Sequence, residues 1–512
     1  MFQFLTALLR SLYFSILTSL SIFLKLFKVA LYKNTYLEGL LMSKEIKHAL
    51  FIMVFGTFFG ILCSTLMNVA LPTFMRVFAI SSSTVQWVSN GYVLVNAIMI
   101  PVSAYLTKKF TFRSLFISFS TIFLLGTIFG ALAPNFFTLI IGRMIQAIGS
   151  GMMMPLVNIL AIRYAGRGQK GAVMGIVGLA FNFSPIIGPT LSGIILDYFS
   201  WRYLFILVLP FIILDLGLAI ISLPKIPTSQ EPQFNVEGLI TISFGLLGLL
   251  WSFSNVGESP VTSLTVWLPF LVGLILISTF ISTQRKSDHP FVNLAVFKNA
   301  QFTTATIVNS LIVSTMYGNT ILLPLLIQTI MGKSAIISGL ALLPGALLTG
   351  FMSPVSGRLF DRYPVRIIVT IGILIDCFGT MMQAFIDVNA SVGMLTLGQT
   401  IRQLGLVLIL IPIQTQALSY LPNDLISDGV AAFNTLRQIA ASFGTAIIVA
   451  TINITSHGFS HQPNHQQIGI QAGFTMCLLF LIAALMVSRK LYTKHSHTPK
   501  PHFHGSAHLS KI

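Results

Sequence analysis

Residues 101–113 read PVSAYLTKKFTFR, and residues 354–366 read PVSGRLFDRYPVR. The two stretches share Pro, Val, Ser, Leu and the closing Arg, and they set Lys109 against Arg362 and Phe110 against Tyr363. Each closes an apolar run with a knot of cations. Counted along the chain, the first copy ends the second apolar run and the other ends the tenth. A displacement of eight runs divides the chain into two six-span halves, spans 1–6 and 9–14, separated by an inserted pair. A weaker echo agrees: Gly142, Gln146 and Gly149 recur as Gly398, Arg402 and Gly405, each set in the fourth span of its half. Parallel repeats of this kind enclose a cavity between two rocking halves.

The runs follow from the composition. Of 512 residues, 54% are hydrophobic and 8% charged, with a mean hydropathy of +0.86, which excludes an ordinary soluble domain. A spanning helix takes about 20 mostly apolar residues, so roughly 280 residues in lipid make about fourteen spans. They are expected at 49–70, 84–106, 114–133, 136–161, 171–196, 203–223, 237–256, 264–283, 302–328, 335–356, 367–386, 393–418, 430–454 and 470–488. Lys and Arg number 30 against 13 Asp and Glu, a formal charge of +17, and the cations gather in alternate loops. One set carries Lys44, Lys47, Lys108, Lys109, Arg113, Arg163, Arg167, Lys170, Lys225, Arg285, Lys286, Lys298, Arg358, Arg362 and Arg366, and the opposite set carries Arg76, Arg202 and Lys333. The richer set marks the cytoplasmic face, so both termini are expected inside, and no nucleic-acid partner is expected. Cys63, Cys377 and Cys477 lie within apolar runs without ligand spacing, so neither disulfide nor metal site is expected. No nucleophile, phosphate loop or ligand cluster reads as an enzyme site or calls for a cofactor.

The ends stand apart. Residues 1–41 hold an apolar stretch, Tyr13 to Tyr32, interrupted by Lys25 and Lys28, and an added span would invert the charge rule. They read as an N-terminal extension upstream of a natural start at Met42, with an interfacial amphipathic helix as the alternative. His457, His461 and His465 fall in the last outer loop, and His495, His497, His502, His504 and His508 in the tail at 490–512. Gly458 and Pro463 break the helix that regularly spaced ligands would need, so solvated loops are expected at both places. The organisation is therefore an extension 1–41, a first half 42–225, an inserted pair with linker 226–298, a second half 299–489 and a His-rich cytoplasmic tail.

With these features in place, residues 45–489 resemble the major facilitator superfamily, and within it the fourteen-span drug:proton antiporters of the Gram-positive multidrug and lincomycin-resistance type. The resemblance is carried by Leu66-Met67-Asn68-Val69-Ala70-Leu71-Pro72, by Gly142-Arg143 with Gln146, Gly149 and Gly151, and by Pro185, Gly188-Pro189 and Gly193 before Trp201-Arg202-Tyr203-Leu204-Phe205. The second half adds Gly357, Leu359, Asp361, Arg362 and Arg366, then Asn434, Arg437-Gln438 and Ser442-Phe443-Gly444-Thr445-Ala446. The resemblance implies an all-α major facilitator fold of two six-helix halves plus two inserted central helices.

Each motif also has a physical reading. An Arg inside a span is costly unless it meets a cavity or a partner, so Arg143 resembles the family's buried arginine that couples proton and substrate movement, with helix glue as the alternative. Gly149 and Gly151 clear space for a helix or a ligand, and with Asn68, Arg143 and Gln146 they form the expected substrate cavity of spans 1, 2, 4, 5 and their equivalents. Pro185 and Gly188-Pro189 are expected to bend span 5 where the halves meet, as the antiporter motif implies. Asp361 is expected to cap the next helix and pair with an Arg, latching an inner gate that also includes Gly357, Arg362, Arg366, Asn434, Arg437 and Gln438. In the first copy Ala104, Lys108 and Thr111 replace the family's Gly, Asp and Gly, so a one-sided latch leaning on the second half is expected.

Many relatives carry an acid where this chain has Cys63. The deep carboxylates left are Asp215 in span 6 and Asp376 in span 11. Asp376 and Arg402 both lie thirteen residues from Asn389 at a hairpin tip, hence at equal depth, about 20 Å in, where an ion pair is geometrically open to them. Proton coupling is expected through Asp215, Asp376, Arg143 and Arg402. The reading is a monomeric exporter in the cytoplasmic membrane, moving small amphipathic compounds out against inward protons. An exporter of an endogenous metabolite and a non-transporting membrane sensor or scaffold stay open beside it.

Overall fold

The computed structural model describes residues 43–491, apart from 81, 86, 167, 226–234, 256–262, 288–289, 334, 386–390 and 463. The extension 1–41, the hairpin tip Asn389 and nearly all of the His-rich tail lie outside the described residues.

The described residues form helices and connections without strands. They are α1 Lys44–Phe78, α2 Trp87–Lys109, α3 Phe112–Ala131, α4 Phe136–Tyr164, α5 Lys170–Tyr198, α6 Leu209–Ser222, α7 Val236–Asn255, α8 Leu264–Lys286, α9 Ala300–Leu325, α10 Ala335–Arg362, α11 Val365–Ala384, α12 Val392–Ser419, α13 Ile426–Gly458 and α14 His465–Ser488. Among the described residues thirteen spans are long and apolar enough to cross a membrane, with α6 counted together with the one-turn helix Tyr203–Ile206 before it. The fourteenth expected span corresponds to α5, 29 residues long, of which Lys170–Ser184 forms a shorter apolar stretch. Polar residues start the helices where the apolar runs begin. Ser43 caps α1 by accepting the Ile46 N–H at 3.3 Å, Thr111 caps α3 at 3.2 Å and Asn135 caps α4 at 2.9 Å. Asn299 accepts two N–H groups at the head of α9. Each satisfies a backbone donor that lipid could not.

The ends of α1 and α13 outrun the expected spans, because their polar flanks continue the helical hydrogen bonding beyond the apolar core. His457 accordingly lies in the last turn of α13 and His465 opens α14, rather than both lying in an irregular loop.

Packing repeats with a step of eight helices. In the first half α1 lies against α4, α5 and α6, and α4 against α2 and α3; in the second, α9 lies against α12, α13 and α14, and α12 against α10 and α11. The halves meet along two seams, α5 with α10 and α2 with α13. The inserted α7 and α8 form a hairpin through small residues: a Cβ on Gly248 would lie 2.7 Å from the Pro269 carbonyl oxygen, so only glycine permits this approach. Beyond its own hairpin, α7 rests on α2 and α13.

Candidate functional site

The α5–α10 seam is built on backbone contact. A Cβ on Gly357 would overlap the Gly171 carbonyl oxygen, and one on Gly175 would lie 2.8 Å from that of Ser353. At its end the Asp361 carboxylate accepts the backbone N–H of Gly171 at 2.9 Å and of Ala172 at 2.7 Å. Asp361 thus caps α5 in the other half, not the helix that follows it. Arg362 is exposed and forms no ion pair among the described residues.

The opposite seam is latched as well, which corrects the one-sided expectation. Lys108 Nζ lies 2.8 and 2.7 Å from the two oxygens of Asp428, a fully buried carboxylate in the first turn of α13. Asp428 also accepts the Asn293 N–H at 2.9 Å. Close by, Arg163 donates to the Asn423 carbonyl at 3.3 Å and to Ser427 at 3.4 Å. Replacing a carboxylate with Lys108 therefore inverts the charge of this latch without abolishing it.

Deeper in the first half, Arg143 is 1% exposed and has no carboxylate partner among the described residues. Its guanidinium donates to Gln146 at 2.7 Å, contacts the Cys63 thiol at 3.9 Å and lies 4.1 Å from the centroid of the Tyr92 ring. Gln146 donates in turn to Cys63 at 3.4 Å and to Thr127 at 2.8 Å. Neutral acceptors and a π face stand here in place of a counter-ion. Tyr92 continues the chain by donating to Ser150 at 2.5 Å, where Asn96 also donates.

The second half answers with an ion pair. Arg402 Nε lies 3.1 Å from Asp376, both fully buried, so the two residues placed at equal depth do meet. Arg402 is held further by Thr380 at 3.2 Å and by the Thr315 carbonyl at 2.9 Å. Asp215 is different: it is buried against Gly56 of α1, and neither of its oxygens has a hydrogen-bond partner among the described residues.

A cavity of about 390 Å³ opens between the halves. Asn90, Tyr92 and Asn96 of α2 face Gln438, Ser442 and Thr445 of α13, with Ser64 of α1 and Tyr317 of α9 between them, and Leu250 and Phe253 of α7 closing one side. No carboxylate, Lys, Arg or His lines it among the described residues. Of the spans expected to line it, 1, 2, 4, 5 and their second-half equivalents, spans 1, 2, 9 and 13 do so, spans 4 and 5 supply no lining residue among those described, and α7 is added. Arg143 and Gln146 lie behind its wall. Gly149 packs on Phe123 of α3 and Gly151 on Met99 of α2, so both glycines serve helix contacts. The side chains of Asn68, Pro185 and Pro189 lie outside the described residues. Gly188 is pressed against Thr65 of α1, so this part of α5 faces its own half and the seam lies nearer its start, while Gly193 has open space. Of the expected gate, Gln438 lines the cavity and Asn434 donates to the Val430 carbonyl at 3.0 Å within its own helix; Arg437 and Arg366 are half-buried. The amides Asn90 and Asn96 inside an apolar span are the signal that sequence reading passed over.

Residues 53–445 match the profile of the Major Facilitator Superfamily. The chain is 37% identical to the uncharacterized MFS-type transporter YcnB of Bacillus subtilis, over 85% of this chain and 93% of the relative. It is 33% identical to the lincomycin resistance protein LmrB of Listeria monocytogenes, over 84% and 93% respectively. Among solved structures, the human organic anion transporter MFSD10 (TETRAN) superposes with a TM-score of 0.63 at 14% identity, covering 87% of this chain and 100% of that one.

Proposed function

This chain belongs to the major facilitator superfamily, a family of membrane transporters, and on that premise we propose that it exports small amphipathic, drug-like compounds in exchange for inward protons. The observation that carries the reading is the cavity between the halves, ringed by aromatic and amide side chains and separated from two latches at one end of the bundle. Lys108 lies twelve residues beyond Asn96 on α2, about 18 Å along the axis, so the cavity sits toward the end opposite the latches. The latched end carries the cation-rich loops and is proposed to face the cytoplasm, with both termini on that side. The arrangement then corresponds to an outward-facing state. Transport follows when the halves, 42–225 and 299–489, rock about the cavity so that the latches part and the outer end closes.

The proton is proposed to act at Asp215. Its carboxylate has no hydrogen-bond partner among the described residues, whereas Asp376 is already fixed by Arg402. Asp215 presses on Gly56 of α1, the helix that carries Ser64 into the cavity, so a change of charge there bears on a cavity helix. The test is efflux of a fluorescent amphipathic compound from cells with and without the chain, before and after the proton gradient is collapsed. Efflux that ignores the gradient, or that needs no chain, refutes the reading. Orientation is checked by single cysteines at Tyr363 and Gln462, which should label from inside and outside respectively.

A further inference from the structure

The inserted hairpin breaks the two-fold repetition of the bundle, and it does so at the cavity. Along the α5–α10 seam the halves touch backbone to backbone. Along the α2–α13 seam packing is less close, and α7 lies over it. It is held there at two heights. Toward the latch, Ile242 and Leu246 are buried with Tyr105 of α2 and Ala431 of α13, and the Asn293 N–H just beyond α8 reaches Asp428. Toward the cavity, Trp251 packs on Trp87 of α2 with centroids 4.9 Å apart, and Phe253 packs on Phe443 of α13 at 5.3 Å. At this height Leu250 and Phe253 line the cavity itself.

We infer that α7 is a wall of the substrate site and that Leu250 and Phe253 select what fits there, an inference that rests on the cavity being the substrate site. Twelve helices alone would leave the cavity side of the α2–α13 seam without Leu250 and Phe253. The chemistry of the lining sets the class of ligand. Phe253, Tyr92 and Tyr317 offer rings, Asn96 and Gln438 offer amides, and among the described lining residues no ionic side chain offers a counter-charge. A flat aromatic compound with neutral hydrogen-bonding groups satisfies all of these at once. Because α7 belongs to neither six-helix half, a change at Phe253 alters the width of the site without replacing any residue of the latches or any partner of the two buried arginines.

The test compares Phe253→Ala, Phe253→Trp and Asn96→Ala in the full chain, using two neutral fluorescent dyes, the smaller coumarin and the larger Nile red, for binding to purified protein and for efflux. Phe253→Ala should raise the affinity ratio of Nile red to coumarin about tenfold, and Phe253→Trp should lower it by a similar factor. Asn96→Ala should weaken both dyes together. If Asn96→Ala weakens both and the two Phe253 variants leave the ratio at its wild-type value, α7 is not a selecting wall, although the cavity remains the substrate site. Dyes that fail to bind the wild-type chain, or that bind independently of Asn96, overturn the cavity reading and this inference with it. The opposed signs expected of Ala and Trp separate selection from loss of folded protein, which would depress both dyes in both variants.

Discussion

Asp361→Asn and Lys108→Gln probe the two latches separately, and the structure ranks them. Asp361 accepts two charge-assisted bonds, at 2.9 and 2.7 Å, from the start of α5. Such bonds contribute about 1.5 kcal/mol each, and Asn keeps one acceptor but loses the charge, so the latched state should weaken by about 2 kcal/mol, or roughly 30-fold in population. Lys108→Gln does more. It leaves the buried Asp428 carboxylate with the Asn293 N–H and no cation, and stranding one partner of a buried pair costs about 3 kcal/mol, more than 100-fold. The measure is the distance distribution between spin labels at Phe110 and Asp424, which lie on loops of opposite halves, together with substrate efflux. Both variants should populate the separated state, Lys108→Gln the more strongly. Adding Asp428→Asn to Lys108→Gln should recover part of the loss by removing the stranded charge. A Lys108→Gln chain that keeps the wild-type distribution and efflux, while Asp361→Asn changes both, would refute the second latch.

Three further outcomes follow from the same geometry. Asp376→Asn and Arg402→Met should each lower thermal stability by about 3 kcal/mol, while the double variant should cost far less than their sum; strict additivity in the cycle would mean that the pair is not coupled. Asp215→Asn should leave the fold at least as stable as wild type, because it removes an unpartnered buried carboxylate, and should abolish substrate-induced proton movement in vesicles; unchanged proton movement at matched expression would send the carrier elsewhere. Gly357→Ala should hold the α5–α10 seam apart by crowding the Gly171 carbonyl, seen as increased labelling of a nearby cysteine from the latched end; normal transport with wild-type labelling would contradict the backbone contact.

The repeat was legible because it is local: PVSAYLTKKFTFR and PVSGRLFDRYPVR announce equivalent helix ends without reference to anything they touch. The spans were legible for the same reason, since lipid demands an unbroken apolar run wherever the backbone crosses. The Asp376–Arg402 pair could be read because two helices joined by a tip share a depth scale. Contacts across the halves gave no such ruler. Asp361 and Gly171 are separated by 190 residues and Lys108 and Asp428 by 320, and their meeting depends on which seams form. The symmetry nevertheless held a usable hint. If the α10 loop caps α5, the α2 loop must meet the start of α13, and a Lys in place of Asp at that point calls for an acid there. Asp428 in the first turn of α13 supplies it.

The two buried arginines show why the remainder of the site resists sequence reading. The halves carry Arg143 with Gln146 on α4 and Gln399 with Arg402 on α12, the same two residue types three positions apart in opposite order. Reversing the order changes which helix each guanidinium meets. Arg402 turns to Asp376 and Thr380 on α11, a helix that supplies nothing to the cavity. Arg143 turns to Val88 and Tyr92 on α2, and Tyr92 is a cavity residue. The charge in the second half is therefore neutralised and anchored away from the cavity, while the charge in the first half has only neutral partners among the described residues and rests on a ring that the cavity shares. Tyr92 thus joins the cavity wall to Arg143 through a cation–π contact at 4.1 Å, and the guanidinium's contacts with Gln146 and Cys63 add no carboxylate. Cys63, which looks in the sequence like a missing acid, is part of what leaves Arg143 dependent on the cavity wall.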